Sequence, residues 1–255
     1  MHALVLFRMS PLLTAVLLVL VFLVSLLYSA VGHAGASGDI AAMGLVGVPA
    51  AAMKPIALVL NLFVATIGTF RFYRAGYFSW RLFLPFTLAS VPFAYLGGRI
   101  TLPTHIYRPL VGVLLLYAAY RLVASTLRSA PTEAPNPVPL YAAILWGAAI
   151  GLLSGLTGVG GGIFLSPVLI LMNWATTRET AGVSVAFILA NSIAGLAGNL
   201  TAVHHLPPLV WTLVPAAVIG GLIGSSLGST RFNPSVIRRL LSAALVIAGF
   251  KMIFV

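Results

Sequence analysis

Two stretches decide the fold: Ala57-Leu-Val-Leu-Asn61-Leu-Phe-Val-Ala-Thr-Ile-Gly68 and Phe187-Ile-Leu-Ala-Asn191-Ser-Ile-Ala-Gly-Leu-Ala-Gly198. Each buries one asparagine in an apolar run and places a glycine seven positions later, and 130 positions separate the two copies. The same offset carries Pro85 onto Pro215, Gly98 onto Gly228, Arg108 onto Arg238 and Arg121 onto Lys251. An apolar chain built as two copies of one unit is the sequence signature of many transporter folds.

Composition narrows the class further. Hydrophobic residues make up 60% of the 255 residues and charged residues 7%, against roughly 25% charged in soluble domains. The chain therefore reads as an all-α integral membrane protein. At about 20 residues per span it holds roughly eight to ten crossings and no soluble domain. Its net charge of +11 sets fourteen Lys and Arg against Asp39, Glu133 and Glu179. The basic residues cluster at the ends of apolar runs, which points to topology and anionic lipid contact rather than nucleic acid. A pathway so poor in acids also suits an anionic solute. With no cysteine, disulfides, thiolate chemistry and thiol-ligated metals are excluded.

Pro11 to Val31 is long enough to cross a bilayer, and longer than the core of a cleaved signal peptide, the competing reading. His33 to Val48 holds four glycines in 16 residues, a half-span, a re-entrant segment or a tilted crossing. Apolar runs follow at about 51 to 70, 82 to 98 and 108 to 126. Arg128-Ser-Ala-Pro-Thr-Glu-Ala-Pro-Asn-Pro-Val-Pro139 cannot continue a helix and reads as an exposed linker. It divides a first membrane repeat, 1–127, from a second, 140–255. The second has runs at about 139 to 157, 159 to 173, 180 to 200, 208 to 228 and 237 to 254. If the short segment crosses, each half has an odd number of spans and the copies are inverted; if it is re-entrant, they are parallel. Arg71, Arg74 and Arg81 crowd the loop after the third segment, whereas its counterpart, Asn199 to Pro208, has no Lys or Arg. That contrast favours inversion.

Each half breaks into glycine after its first span: Gly32-His-Ala-Gly35-Ala-Ser37-Gly38, and Thr157-Gly158-Val-Gly160-Gly161-Gly162. Bare backbone at membrane depth survives only against protein or a water-filled cavity. The breaks are candidate walls of a solute cavity, with close helix packing as the competing reading. A helix restarting after such a break presents amides and a positive dipole end to an anion. Asn61 and Asn191 need partners inside the membrane, either another helix or the solute. Asp39 and His33 border the first break and form a candidate proton relay. Lys54 and the Arg178-Glu179 pair follow the short segments as interfacial anchors or anion attractors. His204-His205 lacks a third metal ligand. No nucleophile with a base is evident, and Gly158 to Gly162 lacks the Lys-Ser/Thr of a phosphate loop. The expectation is thus neither an enzyme nor an ATP-driven pump, with no cofactor and no metal. A non-transporting scaffold or assembly subunit is the alternative.

The glycine breaks, Lys54-Pro-Ile-Ala-Leu-Val-Leu-Asn61, Arg71-Phe-Tyr-Arg74-Ala-Gly and Gly158-Val-Gly-Gly-Gly-Ile-Phe-Leu-Ser-Pro167 together resemble the TauE/SafE family of anion permeases, over essentially the whole chain from about residue 12. The resemblance implies a bacterial inner-membrane transporter of about eight spans, with sulfite or organosulfonates among its solutes; protons as a candidate coupling ion rest on Asp39 and His33. The family pattern falls on Gly35, Gly38, Gly158, Gly160, Gly161, Gly162 and Pro167. The first break departs from the usual glycine run, reading His33-Ala-Gly-Ala-Ser-Gly-Asp39.

Overall fold

The computed structural model describes residues 9–30, 32–127, 135–204, 206–227 and 234–254. The part of the proline-rich linker from 128 to 134 lies outside them. The described residues form eleven helices: α1 Pro11–Ala30, α2 Ala36–Leu45, α3 Ala50–Arg74, α4 Trp80–Arg99, α5 Thr104–Leu127, α6 Leu140–Thr157, α7 Gly162–Leu171, α8 Thr177–Gly198, α9 Leu200–His204, α10 Leu209–Leu227 and α11 Pro234–Phe254. A chain this apolar satisfies its backbone groups within each segment, since lipid offers no partner. Five helices, α1, α3, α6, α8 and α10, are long and apolar enough to cross a membrane. α4, α5 and α11 are as long, at 20, 24 and 21 residues.

The short segments expected at His33–Val48 and at about 159 to 173 are the ten-residue helices α2 and α7. At 1.5 Å per residue each is about 15 Å long, half the thickness of the hydrocarbon core. The Asn199–Pro208 stretch, read from sequence as loop, contains one turn of helix, α9. It starts where the amides of Ala202 and Val203 turn back onto the Asn199 carbonyl.

Helix directions follow from residue contacts. Along α3 and α8, Leu58 meets Gly195, Asn61 meets Ser192 and Gly68 meets Val185, so the two run antiparallel through the centre of the molecule. α5 and α11 are also antiparallel, with Gly112 on Ile253, Leu116 on Gly249 and the Ser242 hydroxyl donating to the Ala119 carbonyl at 3.0 Å. α4 lies parallel to α6, and α1 parallel to α10. These parallel pairs rest on glycines one turn apart. Gly147, Gly151 and Gly155 of α6 take the backbone carbonyls of Phe86, Ser90 and Ala94, and Gly220 and Gly224 of α10 take those of Phe22 and Leu26. A Cβ at Gly147 would lie 2.5 Å from the Phe86 oxygen. Lipid supplies no hydrophobic drive between helices, so close backbone approach is what holds such pairs. These glycines lie outside both breaks and serve close helix packing.

α3 and α8 form the core. Met53, Ile56, Leu58 and Leu60 of α3 and Val183, Val185, Phe187 and Ile188 of α8 are all nearly inaccessible, so these parts of both helices are covered by protein. Arg71 and Arg74 end α3, Arg81 opens α4 and Arg178 opens α8, giving one basic end. Lys54 lies toward the other end of the α3–α8 pair.

A glycine break and a buried asparagine form the candidate functional site

The second break behaves as its composition predicts. α6 ends at Thr157, whose hydroxyl returns to the Leu153 carbonyl at 2.7 Å. Gly158, Gly160 and Gly161 then adopt φ values of 84°, 83° and 83°, the left-handed region that glycine enters without strain. The chain folds back on α6 so that Gly161 sits against Ile150 and Ser154, and α7 begins at Gly162 inside the protein. Its N-cap residue, Gly161, supplies no side-chain acceptor, and the first amides of a helix have no partner within it.

Two buried polar groups stand against this turn. Asn61 packs on Gly160, where a Cβ would come within 2.7 Å of its Nδ2. That nitrogen donates to Ser192 Oγ at 3.2 Å, while Asn61 Oδ1 has no partner. The Ser154 hydroxyl beside Gly161 is fully buried and likewise unpartnered. Gly162 is closed in by Ile188 and the Ser184 carbonyl. The structure thus brings Thr157, Gly158, Gly160, Gly161 and Gly162 together with Asn61, and adds Ser154, Ser184 and Ser192. Unpaired polar atoms are expensive in so dry an interior.

Asn191 is placed differently. Its Nδ2 donates to the Phe187 carbonyl at 2.9 Å and its Oδ1 accepts from the Ser90 hydroxyl. Both ends of this amide are satisfied by protein, so Asn191 fastens α8 to α4.

The first break turns at Gly32 and Gly35, with φ of 81° and 100°. Gly35 and Gly38 pack on Val24 and Tyr28 of α1, and the Tyr28 hydroxyl pairs with Ser37 at 2.9 Å. Asp39, one turn into α2, is fully buried, and neither carboxylate oxygen has a partner. His33 does not pair with it: its Nε2 meets Ser166 Oγ at 3.1 Å, and Ser166 donates to Ser184 Oγ at 2.9 Å. A hydrogen-bonded row thus joins His33 in the first break to α7 and α8, and no direct hydrogen bond links His33 to Asp39.

The two candidate attractors lie at opposite ends of the antiparallel α3–α8 pair. Arg178 Nη1 donates to the Tyr77 hydroxyl at 2.7 Å and stacks on its ring, while Glu179 closes a capping box with Thr176. Lys54 is buried, and its Nζ donates to the carbonyls of Gly97, Gly98 and Ile100 at 3.0 to 3.1 Å. It caps α4, where a cation meets the negative end of the helix dipole. Among the described residues no cluster of three or more His, Cys, Asp or Glu side chains is placed to hold a metal.

Sequence reasoning missed Ser90, Ser154 and Ser166, whose only signal was a lone hydroxyl within an apolar run.

Comparison with known proteins fits this architecture. Residues 17–252 match the family described as "Sulfite exporter TauE/SafE". A relative from Sinorhizobium fredii, named "Probable membrane transporter protein y4hK", is 42% identical over 236 residues, which cover 91% of this chain and 95% of the relative. One from Methanocaldococcus jannaschii bearing the same kind of name is 27% identical, over 76% of this chain and 77% of its own. One from Xylella fastidiosa is 30% identical, over 63% and 62% respectively. No solved structure matches. With a family match over most of its length and a close relative along nearly all of it, the chain belongs to the TauE/SafE family of multi-pass membrane transport proteins.

Proposed function

We propose that the chain is a secondary transporter of small anions, sulfur-containing or organic, across the bacterial inner membrane, with the solute held at mid-membrane between the two glycine breaks. One observation carries the reading. The interior start of α7 stands beside the unpartnered hydroxyl of Ser154 and the unpartnered carbonyl of Asn61. Amides at a helix start and a free hydroxyl are donors suited to an anion. The family description names sulfite, which makes it the first solute to test.

In this reading the eight long helices cross the membrane, and each glycine break with its short helix, α2 or α7, brings the chain back across, so that the two homologous repeats have opposite orientation. Three relations support it. α3 runs against α8 and α5 against α11, α4 lies along α6 as α10 does along α1, and the breaks turn alike. Gly35 sits against Tyr28 and Val24, and Gly161 against Ser154 and Ile150, seven and eleven positions back in each case. Asp39 is the proton-coupling group, and His33 ties the first break to α7.

Proteoliposome uptake of labelled sulfite, sulfonates, sulfate and carboxylates, with and without a pH gradient, tests the reading. Movement of none of them sinks it and leaves the scaffold alternative. Single cysteines at positions 76 and 204 of this cysteine-free chain should react from opposite sides of the membrane. Labelling from one side rejects inversion.

A further inference from the structure

A cavity of about 290 Å³ opens between the starts of α3 and α5, the end of α4, and α9. Its walls divide into two chemistries. Lys54, Thr101, Thr104, Thr201 and Asn199 supply charge, hydroxyls and an amide, while Leu102 and Leu156 supply an apolar side. No carboxylate lines it among the described residues. Lys54 is only 6% exposed, and the three carbonyls that hold its ammonium are dipoles, which solvate its charge without cancelling it. The cavity is therefore electropositive on one wall and greasy on another. It also adjoins the second break. The Tyr107 hydroxyl holds the Thr157 carbonyl at 3.0 Å, and Gly158 packs directly on the Lys54 backbone, where a Cβ would lie 3.0 Å from its Cα.

We propose that this cavity is a vestibule that takes a small organic oxyanion, its charged head among the threonine hydroxyls under the field of Lys54 and its short alkyl tail against Leu102 and Leu156. The inference rests on the transport reading and adds a second binding position, at the end of the molecule away from Arg71, Arg74 and Arg178. Because every Lys54 proton is already donated, Lys54 attracts by charge and the hydroxyls make the contacts.

Thr101→Cys in the otherwise cysteine-free chain, reconstituted in liposomes, gives the test. Ethanesulfonate should slow its reaction with a neutral thiosulfonate reagent, with chloride at equal ionic strength as the control. In a Lys54→Met background the half-protecting concentration should rise about tenfold, the effect of losing one nearby charge. Because Lys54 also caps α4, Thr104→Val with Thr201→Val serves as a second variant that leaves the cap in place, and the same direction of change is expected. Unchanged labelling in liposomes that still accumulate ethanesulfonate overturns the vestibule and spares the transport reading. Protection without accumulation supports the vestibule and counts against transport of that solute. Equal protection by sulfate and ethanesulfonate overturns the role given to the apolar wall.

Discussion

The two glycine breaks turn the chain in the same way and surround it with opposite chemistry. At the first, Ser37 is tied to Tyr28, His33 to Ser166, and Asp39 is a carboxylate with two unmet oxygens. At the second there is no acid; Ser154, Asn61 and the start of α7 offer hydroxyl, amide and backbone groups. One backbone device, a helix interrupted by left-handed glycines, thus sits beside a carboxylate in one place and beside neutral hydroxyl and amide groups in another. In the proposed reading the turn builds a cavity wall, and the polar groups packed against it decide what the wall binds.

The sharpest way to break the contrast is Gly160→Val. It forces a β-branched residue to a φ of 83° and drives a Cβ into Asn61, with a conformational cost on the order of 1–3 kcal/mol before the clash is counted. Solute uptake should vanish while the protein still inserts; retained uptake would remove the second break from the site. Gly47→Ala is the control, since its φ is also positive but nothing lies within 4 Å of its Cβ.

Next in size is Asp39→Asn. Removing an unpaired buried carboxylate should raise the unfolding temperature, because burial of such a group costs several kcal/mol unless it is protonated or paired. It should also abolish uptake driven by a pH gradient while sparing counterflow exchange. An unchanged response to the gradient would end the coupling role of Asp39.

The asparagines make the third comparison. Asn61→Leu should eliminate transport at a stability cost of about 1 kcal/mol, that of its single bond to Ser192, since its Oδ1 has no protein partner to lose. Asn191→Leu should cost about 1–3 kcal/mol by stranding the Ser90 hydroxyl, seen as a lower melting temperature with partial transport retained. The reverse pattern would exchange their roles. The smallest effect belongs to Ser166→Ala, which cuts the row between His33 and Ser184. It should cost about 1 kcal/mol and change the pH profile of transport more than its rate.

Much of this was legible in the residues. The five apolar segments of each half, the breaks at Gly35 and at Gly158 to Gly162, and the short segments after them all reappear as helices and turns near the expected boundaries. Glycine and proline act locally, and a helix in lipid is set by its own length and polarity. Pro55, Pro85, Pro92, Pro109 and Pro215 lie inside continuous helices, as the unbroken apolar runs around them implied, because packing neighbours can satisfy the backbone groups that proline frees. The partners of buried polar groups were not legible. His33 and Asp39 are near in sequence, yet their partners are set by α7 in one case and by none in the other.

Membrane residence, the duplicated pattern and the positions of the breaks follow from the sequence by itself, since each depends on composition or on local backbone freedom. The tertiary structure alone decided that Asn191 is bound at both ends while Asn61 is not, that Lys54 caps α4 beside a cavity, and that Gly147, Gly151 and Gly155 serve packing rather than the site. Those distinctions rest on whether a buried polar atom finds a partner. The partner, when there is one, sits on a helix about 40 to 130 residues away, as in Lys54 with Gly97, Asn191 with Ser90 or Asn61 with Ser192.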